Sequence, residues 1–371
     1  VKIAWYLYRQ FPLVIALIHI NGALNISIRL LLRIYKKIII KLVKKLYQIM
    51  KSPIFLFSLP RSGSTLLQRI LMTHDEIASV AEPWLLLPLV YSYRKEGILS
   101  EYSHKTSHIA LEDFISNLPN KEEDYFTALR TMTKELYEKA CFNGERYFLD
   151  KTPRYYSIIP EIAKIYPNAK FIFLFRNPVH VMSSMIQTWC NGRFNQMYSF
   201  NRDLNYGLES LTTGYKILKD KAYTINYEDF VRNTEKYTIE ICNYLNISFR
   251  EKMINDFSNK KTNGRMGDPT GVREYQKVET TSLEKWKLTY KTNYRKNILK
   301  EYVKKIDEET LKTQGYSKNT ILEEIDKLDT KFSVSIQDRM DLFYSNLVQL
   351  LKPNIWLGAN SEKWTKNRFL S

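Results

Sequence analysis

The chain has 371 residues, of which 44% are hydrophobic, and a formal net charge of +17. This length and composition are enough to bury a full core, which excludes a disordered or low-complexity chain. The charge is uneven, because residues 1–50 carry nine Lys or Arg residues and no Asp or Glu. We therefore expect a basic arm joined to a mildly basic domain, and no general nucleic-acid-binding surface.

The arm contains two apolar stretches. Nineteen uncharged residues from Gln10 to Ile28 have the length that crosses a bilayer, although polar residues and a proline dilute them. From Arg29 to Met50, apolar residues recur at helical spacing opposite a basic face, which is typical of helices that lie on anionic membranes. Residues 1–51 are thus predicted to be a membrane-associating arm or anchor. Packing of this helix on the rest of the chain is the alternative.

Cysteine and histidine are sparse. The three cysteines, Cys141, Cys190 and Cys242, are far apart and form no Cys-x-x-Cys pair, which favours a reducing compartment. Of the five histidines, only His104 and His108 are close in sequence, and no cysteine or third histidine stands near them to complete a zinc site. We therefore expect no metal cofactor.

The first candidate site follows an apolar strand pattern, Ile54 to Ser58, and precedes a helical pattern. The loop between them offers what a phosphate needs: a glycine that allows close backbone approach, amides at a helix start, hydroxyl donors and a permanent positive charge. These residues are Arg61, Ser62, Gly63, Ser64 and Thr65. The loop lacks the lysine of the Walker A pattern, and an ordinary turn is the alternative.

A second candidate site follows the continuous apolar strand Lys170 to Phe175. Arg176 stands at the carboxyl end of this strand, and Ser184 lies eight residues further along, in the helix that Pro178 starts. An arginine and a serine at this spacing can reach one anion from two sides. The alternative is an arginine that caps the sheet and a serine inside a helix.

Both sites resemble those of one family. The loop Pro60 to Thr65 is similar to the 5′-phosphosulfate loop of sulfotransferases, especially the Arg-Ser-Gly-Thr-Thr version of tyrosylprotein sulfotransferases and their bacterial relatives. Arg-Asn-Pro followed by Ser184 looks like the 3′-phosphate motif of the same family. The resemblance implies 3′-phosphoadenosine-5′-phosphosulfate (PAPS) as co-substrate, with Arg176 and Ser184 on the 3′-phosphate.

Two further segments resemble donor-binding elements of this family. Tyr227 begins Tyr-Glu-Asp-Phe after an apolar strand, which implies a tyrosine near the adenine; packing at a strand end is the alternative. Residues 262–282 indicate a long loop, which relatives close over the adenosine. Arg273 and Lys277 are its predicted cationic contacts, and simple solvation explains them nearly as well. Ser282 is predicted to cap the helix that follows.

Sulfonate transfer needs a base for the acceptor and cations for the sulfonate and the leaving phosphate. Glu82 stands where tyrosylprotein sulfotransferases carry their catalytic glutamate, although Glu-Pro-Trp replaces their Glu-Glu-Thr-Arg and implies a different acceptor pocket. Lys151 lies in a segment that looks like the Lys-Ser-Pro-x-Tyr of glycosaminoglycan-type enzymes. It is predicted to stabilise the sulfonate or orient the base, or else to be a surface lysine. Arg61 is the third predicted catalytic residue, and Asp150 is the alternative base.

The resemblance covers residues 52–290 and implies a P-loop-like three-layer α/β domain, with a central parallel sheet flanked by helices. Helical segments between residues 84 and 143 are expected to form part of the acceptor cleft. Residues 291–371 are predicted to be a helical extension packed on the domain. Its apolar residues available for that contact are Leu342, Leu347, Leu350 and Leu351.

The sequence thus predicts a sulfotransferase that moves a sulfonate group from PAPS to a hydroxyl or amine of a carbohydrate, glycolipid or peptide, and releases PAP. A nucleotide-dependent kinase and a non-catalytic membrane protein that binds PAP or PAPS are the alternatives. We expect contact with a membrane surface through residues 1–50. The catalytic domain is expected in the cytoplasm, or in the Golgi lumen if Gln10 to Ile28 spans.

Overall fold

The structure of the protein is a computed structural model that describes residues 50–260, 264, 266–267 and 277–351. The predicted arm, except for Met50 and Lys51, lies outside these residues, as does Arg273. Within the described part of the chain, no helix is both long and apolar enough to cross a membrane.

In the described residues, five parallel strands form one sheet in the order β2-β3-β1-β4-β5. The strands are β1 Ser52–Phe57, β2 Ile77–Ser79, β3 Tyr147–Asp150, β4 Lys170–Phe175 and β5 Ala222–Asn226. β1 lies between β3 and β4, with Phe55 opposite Asp150 on one side and Phe171 on the other. The chain changes its direction across the sheet here, and ligand crevices form at the carboxyl ends of strands at such a point.

Helices connect the strands and cover both faces of the sheet. From β1 to β3 they are α1 Ser64–Leu71, α2 Leu86–Tyr91, α3 His104–Ser116 and α4 Glu122–Ala140. From β3 to β5 they are α5 Ile159–Ile165, α6 Pro178–Cys190, α7 Asn201–Leu204 and α8 Tyr206–Leu218, with 3₁₀ turns at Pro153–Ile158 and Met197–Ser199. After β5 come α9 Tyr227–Arg232, α10 Thr234–Leu245, α11 Lys252–Asn255, α12 Asn293–Lys305, α13 Glu308–Thr313, α14 Lys318–Asp326 and α15 Ile336–Leu351, with 3₁₀ turns at Phe257–Asn259, Thr280–Leu283 and Lys285–Thr289.

Alternation along the strands fills two apolar layers, one on each face of the sheet. Phe55 and Phe57 belong to the layer that contains side chains of α5 and α8. Ile54 and Leu56 belong to the layer that contains side chains of α1 and α10. Successive strand residues point to opposite faces, so each central strand contributes to both layers. This arrangement confirms the predicted three-layer α/β fold.

The segment after residue 290 has two different parts. α12 to α14 contribute buried side chains to the layer of Phe55 and Phe57. α15 instead exposes Leu347, Leu350 and Leu351, while Leu342 is half-buried. The prediction that these four leucines pack on the domain is therefore wrong for three of them, because the helix turns its polar side inward.

Asp150 ends β3 and is fully buried. Its carboxylate accepts hydrogen bonds from the hydroxyls of Tyr137 at 2.6 Å, Tyr155 at 3.0 Å and Thr152 at 3.0 Å. Burial raises the pKa of Asp150 to about 6, although those bonds and the charge of Lys151 act in the opposite direction. A carboxylate enclosed in this way fixes the end of β3 and does not face a substrate, which argues against Asp150 as the base.

We predict that Asp150→Asn changes the pH dependence of stability. The folded protein keeps the Asp150 proton up to about pH 6, whereas the unfolded chain loses it near the ordinary pKa of 3.8. Its contribution to stability is therefore full at acidic pH and is lost as the pH rises through about 6. Asn does not titrate, so the variant does not lose this contribution. The free energy of unfolding in urea, variant minus parent, should therefore rise by about 2 to 3 kcal/mol between about pH 4 and about pH 7. A difference that does not change with pH would contradict this assignment.

Candidate functional site

The loops that follow β1, β3 and β4 meet at the carboxyl edge of the sheet. They carry the predicted phosphate loop, Lys151 and Arg176, respectively. Because neighbouring parallel strands end at the same edge, three segments that are distant in sequence form one site.

The phosphate loop leaves β1 and enters α1 at Ser64. Arg61 and Gly63 adopt left-handed backbone angles, with φ of 66° and 89°. Gly63 occupies the N-cap position of α1 and makes no side-chain cap, so the first amides of this buried helix face the loop. Ser62, Ser64 and Thr65 are buried around it. The loop therefore has the donors of an anion-binding helix start.

Tyr227 packs directly on Gly63. A Cβ atom at Gly63 would lie 2.2 Å from Tyr227 Cε2, which is closer than two non-bonded carbon atoms can approach each other. The Tyr227 hydroxyl is 3.0 Å from Ser282 Oγ, and the Arg176 guanidinium lies 4.2 Å from the centre of its ring. Tyr227 thus supports the loop from behind, and its contact with adenine stays a prediction.

Arg61 and Arg176 join the two predicted phosphate sites. Arg61 Nε donates to Ser184 Oγ at 3.2 Å, and Arg176 Nη1 donates to the Arg61 carbonyl oxygen at 2.8 Å. Arg176 is buried, and its Nε has no hydrogen-bond partner among the described residues. A buried, unpaired guanidinium donor is costly, and an anionic ligand satisfies it. The structure places the three residues side by side.

Behind the two phosphate sites, Glu228 ties three segments together. It accepts the backbone N–H of Asn177 at 3.1 Å and the hydroxyl of Tyr316 at 2.7 Å, and its Oε1 lies 3.1 Å from His180 Nδ1. Burial alone would raise the pKa of Glu228, but the contacts with His180 and Tyr316 and the charge of Arg176 bring it below its ordinary value. The charged carboxylate therefore holds the turn after β4 in place. This role of Glu228 was not predicted from the sequence, although Glu228 stands beside Tyr227 in the Tyr-Glu-Asp-Phe segment.

The half-buried Glu82 and the buried Lys151 form an ion pair beside the phosphate loop. Lys151 Nζ lies 2.9 Å from Glu82 Oε1 and 3.4 Å from Thr65 Oγ1, and Lys151 is only 1% exposed. Trp84 Nε1 donates to Glu82 Oε2 at 3.2 Å. N–H donors thus hold both oxygens of the Glu82 carboxylate. Removing the carboxylate from a buried ammonium costs about 3 to 5 kcal/mol, which keeps the pair together.

Two adjoining cavities lie against these groups. The first has a volume of about 290 Å³ and is lined by the phosphate loop, Glu82, Trp84, Arg154 and Trp189. The second, which we call the outer groove, has a volume of about 410 Å³ and shares Trp84 and Arg154 with the first. Glu82 therefore faces a space that continues past Trp84 into the outer groove.

The outer groove is aromatic and cationic, with Tyr91, Tyr156, Arg202 and Asp203 among its lining residues. Arg154 binds Asp203 in a fork at 3.2 and 3.0 Å, and the Tyr156 hydroxyl donates to the same carboxylate at 2.6 Å. Arg202 lies 3.5 Å from the Tyr91 hydroxyl, and in the described part of the chain no carboxylate pairs with it. Sequence analysis missed these residues; the one available signal was Arg154 in the Lys-Thr-Pro-Arg-Tyr segment.

The region predicted to form part of the acceptor cleft contributes its first residues to this groove. The predicted region was residues 84–143. The residues of this region that line the outer groove all lie between positions 84 and 98, in α2 and its flanking loops. α2 is itself fixed to the site, because the backbone N–H of Leu86 donates to the Tyr155 hydroxyl at 3.0 Å. The groove is therefore built on the same strand end that carries Lys151.

Lys277, Ser282 and Arg273 are the remaining predicted residues of the donor-binding segments. Lys277 is exposed, with its Nζ 3.8 Å from Glu279 Oε1. Ser282 lies inside the 3₁₀ turn Thr280–Leu283, so the prediction that it caps a helix is wrong. Arg273 is outside the described residues. Donor binding by Lys277 and Arg273 stays a prediction.

Potential metal ligands are dispersed. Across residues 50–260, 264, 266–267 and 277–351, His, Cys, Asp and Glu side chains form no group of three or more that could hold a metal ion. Cys141, Cys190 and Cys242 are free and buried. The charged groups that converge at the carboxyl edge of the sheet are therefore mainly arginine and lysine side chains with the carboxylate of Glu82.

The family model of sulfotransferases matches residues 53–251, more than half of the chain, and the protein belongs to the sulfotransferase family. The matched range contains almost the whole sheet, both predicted phosphate sites, Glu82 and Lys151. The family resemblance predicted from the two phosphate motifs is thereby confirmed.

Similar proteins come from distant organisms. The nodulation protein NoeE of Sinorhizobium fredii is 31% identical over 136 residues, which are 36% of this chain and 31% of that protein. Protein-tyrosine sulfotransferase 1 of Danio rerio is 24% identical over 207 residues, which are 54% of this chain and 55% of that protein. The chain thus spans about a third and about half of these two relatives. A solved sulfotransferase domain from the curacin biosynthetic pathway is 21% identical, with a TM-score of 0.45, covering 64% of this chain and 90% of that chain.

We predict that Gly63→Ala destabilises the protein by about 2 to 4 kcal/mol in urea unfolding, because the new methyl group overlaps Tyr227 and the backbone is left-handed. Gly267→Ala is the matched control. Gly267 also has a positive φ, 129°, but nothing in the described part of the chain lies within 4 Å of its added Cβ. If both variants lose the same free energy of unfolding, backbone strain, and not the contact with Tyr227, explains why Gly63 is needed.

Proposed function

We propose that the protein transfers a sulfonate group from PAPS to the hydroxyl (or amine) of an acceptor and releases PAP. The observation that carries this proposal is that the first phosphate loop and Glu82 line one cavity, where Glu82 pairs with Lys151. Arg61 of this loop also contacts Ser184 and Arg176 of the second phosphate site. An isolated turn or a sheet-capping arginine would not bring these groups together. Membership of the sulfotransferase family supports the same conclusion.

The residues present fit a donor with phosphate groups at two ends. The loop Arg61 to Thr65 would hold the 5′-phosphosulfate, since it forms a helix start without a side-chain cap. Arg176 and Ser184 would hold the 3′-phosphate, for which Arg176 Nε offers a charge-assisted donor. We therefore assign selectivity for PAPS over ATP to these two residues. By family resemblance, the adenosine is assigned to Tyr227, Arg273 and Lys277.

Glu82 is proposed as the base. Its carboxylate lines the cavity, and Lys151 and Trp84 orient it by donating to its two oxygens. As the acceptor proton moves to Glu82, the acceptor oxygen forms a bond to sulfur. The bond from sulfur to the phosphate oxygen breaks, and its electron pair leaves with PAP.

Lys151 couples the base to the leaving group. Before transfer its ammonium is paired with the Glu82 carboxylate and contacts Thr65 of the phosphate loop. When Glu82 becomes neutral by taking the proton, this positive charge is no longer balanced by a carboxylate and stabilises the charge that grows on the phosphate. Arg61 and the loop amides act on the same charge.

For the acceptor we propose a carbohydrate hydroxyl, free or on a glycolipid. The outer groove adjoins the cavity at Trp84 and Arg154 and combines aromatic rings with charged, hydrogen-bonding groups. Aromatic rings can cover the apolar faces of a sugar, while the Arg202 guanidinium donates to its oxygens. A peptide tyrosine is the alternative, and a screen of both acceptor types decides between them.

We also propose the organisation that the sequence predicts: a membrane-associating arm over residues 1–51, a catalytic domain over 52–290 and a helical extension over 291–371. The extension is grouped with the domain because α12 to α14 share its apolar layer. We place the catalytic domain in the cytoplasm, which suits three free cysteines, with the Golgi lumen as the alternative.

We predict that Glu82→Gln lowers turnover about 10²- to 10⁴-fold, because the base is lost, while PAP binding is nearly unchanged. Turnover is measured by transfer of label from PAPS to a panel of sugar and tyrosine acceptors, and PAP binding by calorimetry. Unchanged turnover would assign the base role to another residue.

The control separates lost chemistry from lost folding, because Glu82→Gln leaves a buried ammonium without its carboxylate. Glu161→Gln is matched to it: Glu161 also pairs with a cation, Arg94, at 2.5 Å, but lines neither cavity. This variant should keep the turnover of the parent. Circular dichroism and retained PAP binding establish that Glu82→Gln is folded.

A further inference from the structure

α15, Ile336–Leu351, is an amphipathic helix in an unusual orientation. Its polar side faces the protein and its apolar side faces outward. Asp338, Asp341 and Ser345 recur at helical spacing and are buried. Helices on the surface of a globular domain ordinarily bury their apolar side. The orientation of α15 therefore needs a physical cause.

Two arginines from distant parts of the chain provide this cause. Arg295 binds Asp338 through two hydrogen bonds of 2.8 and 2.6 Å. Arg193 binds Asp341 through two of 3.1 and 2.6 Å. Forked arginine–carboxylate pairs are strongly directional, so together they determine which side of α15 turns inward.

The opposite side forms what we call the apolar face of α15. Its central side chains recur with alternating spacings of four and three residues and are 38% to 76% exposed; they are Ile336, Met340, Phe343, Leu347 and Leu350. Tyr344 and Leu351 widen the stripe, and Phe332 and Val334 extend it before the helix. Both acids of the helix lie on the inward side. Exposed apolar patches of this extent mark interaction surfaces.

The composition of the segment after α15, and of the N-terminal arm of the sequence, favours an anionic lipid surface as the occupant. Residues 352–371, which follow α15 directly, contain four Lys or Arg and one Glu, together with two Trp and one Phe. Residues 1–50 add nine positive charges and no negative ones. Basic segments that carry aromatic and aliphatic residues bind at the surface of anionic membranes. An apolar face without carboxylates suits the same surface.

A second copy of the chain fits this face less well. The alternating four- and three-residue spacing is that of a coiled-coil seam, but such a seam is narrow, and the apolar face of α15 is widened by Tyr344 and Leu351. Two copies would also bring together two positively charged 352–371 segments, and these would repel each other.

We propose that the apolar face of α15 binds an anionic lipid surface. α15 also contacts the segment that lines the outer groove: the backbone N–H of Tyr198 donates to Ser345 Oγ at 2.9 Å, and Ser199 and Arg202 line the groove. Lipid binding by α15 would therefore bring the groove close to a bilayer, where a glycolipid presents its sugar. The binding itself does not depend on the proposed function; only this link to a glycolipid acceptor rests on it.

The test places the polarity-sensitive dye NBD at position 343 of the full chain. Phe343→Cys introduces one reactive thiol, since burial raises the pKa of Cys141 to about 12 and the pKa values of Cys190 and Cys242 to about 11. Phosphatidylcholine vesicles with about 30% phosphatidylserine should shift its emission to the blue, and spin-labelled lipid should quench it. Phe114→Cys is the matched control, because Phe114 of α3 is 62% exposed and Phe343 is 70% exposed. Its dye should not respond.

A second set of variants measures affinity for the same vesicles. Phe343→Asp combined with Leu347→Asp should weaken vesicle binding at least about tenfold, whereas Phe114→Asp should not weaken it. Equal binding by the double variant would overturn the proposal.

The dye also identifies other occupants. If the protein binds vesicles while the dye at position 343 stays in water, the proposal is overturned, because residues outside α15 then make the whole contact. Emission that is already blue-shifted without lipid overturns it as well. If this lipid-free blue shift depends on protein concentration, a second copy of the chain covers the apolar face of α15. If it does not, another segment of the same chain covers that face.

Discussion

Lys151 carries its ammonium group at the end of β3 with only 1% of the residue exposed, and a charge buried to this degree needs an anion in contact with it. Glu82 meets this need at 2.9 Å. This ion pair holds the loop between β2 and α2 in place, because Glu82 lies in that loop. Trp84, in the same loop, donates to Glu82 and lines both cavities. One ion pair therefore sets the relative positions of the proposed base, the loop Arg61 to Thr65 and the outer groove.

Much of the fold and of the candidate site could be predicted, because the relevant signals are local in sequence. The run Lys170 to Phe175 forms a strand with the predicted bounds, since five consecutive apolar residues suit a strand that is buried on both faces. Parallel pairing then brings the segments after β1 and β4 to one edge. Arg61, Arg176 and Ser184 are consequently neighbours, although 115 residues separate the two arginines.

Features that depend on distant partners could not be predicted. The spacing in α15 shows which residues share a face, but not which face turns inward; Arg193 and Arg295 decide that through two acids of the helix. The wall of the outer groove likewise depends on the pairing of Arg154 with Asp203 across the fold. Neither pairing leaves a local pattern, because ion pairs of this kind require only that the folded chain brings two charges together.

Calorimetric titration of the full chain with PAP, AMP, ADP and ATP, without added metal, tests the proposed PAPS site. We expect PAP to bind far more tightly than the other three, because it alone places a phosphate on Arg176 and Ser184. Arg176→Ala should then lose on the order of 2 to 4 kcal/mol of PAP binding. A preference for ATP that depends on magnesium would overturn the proposed sulfonate transfer and indicate a nucleotide-dependent kinase.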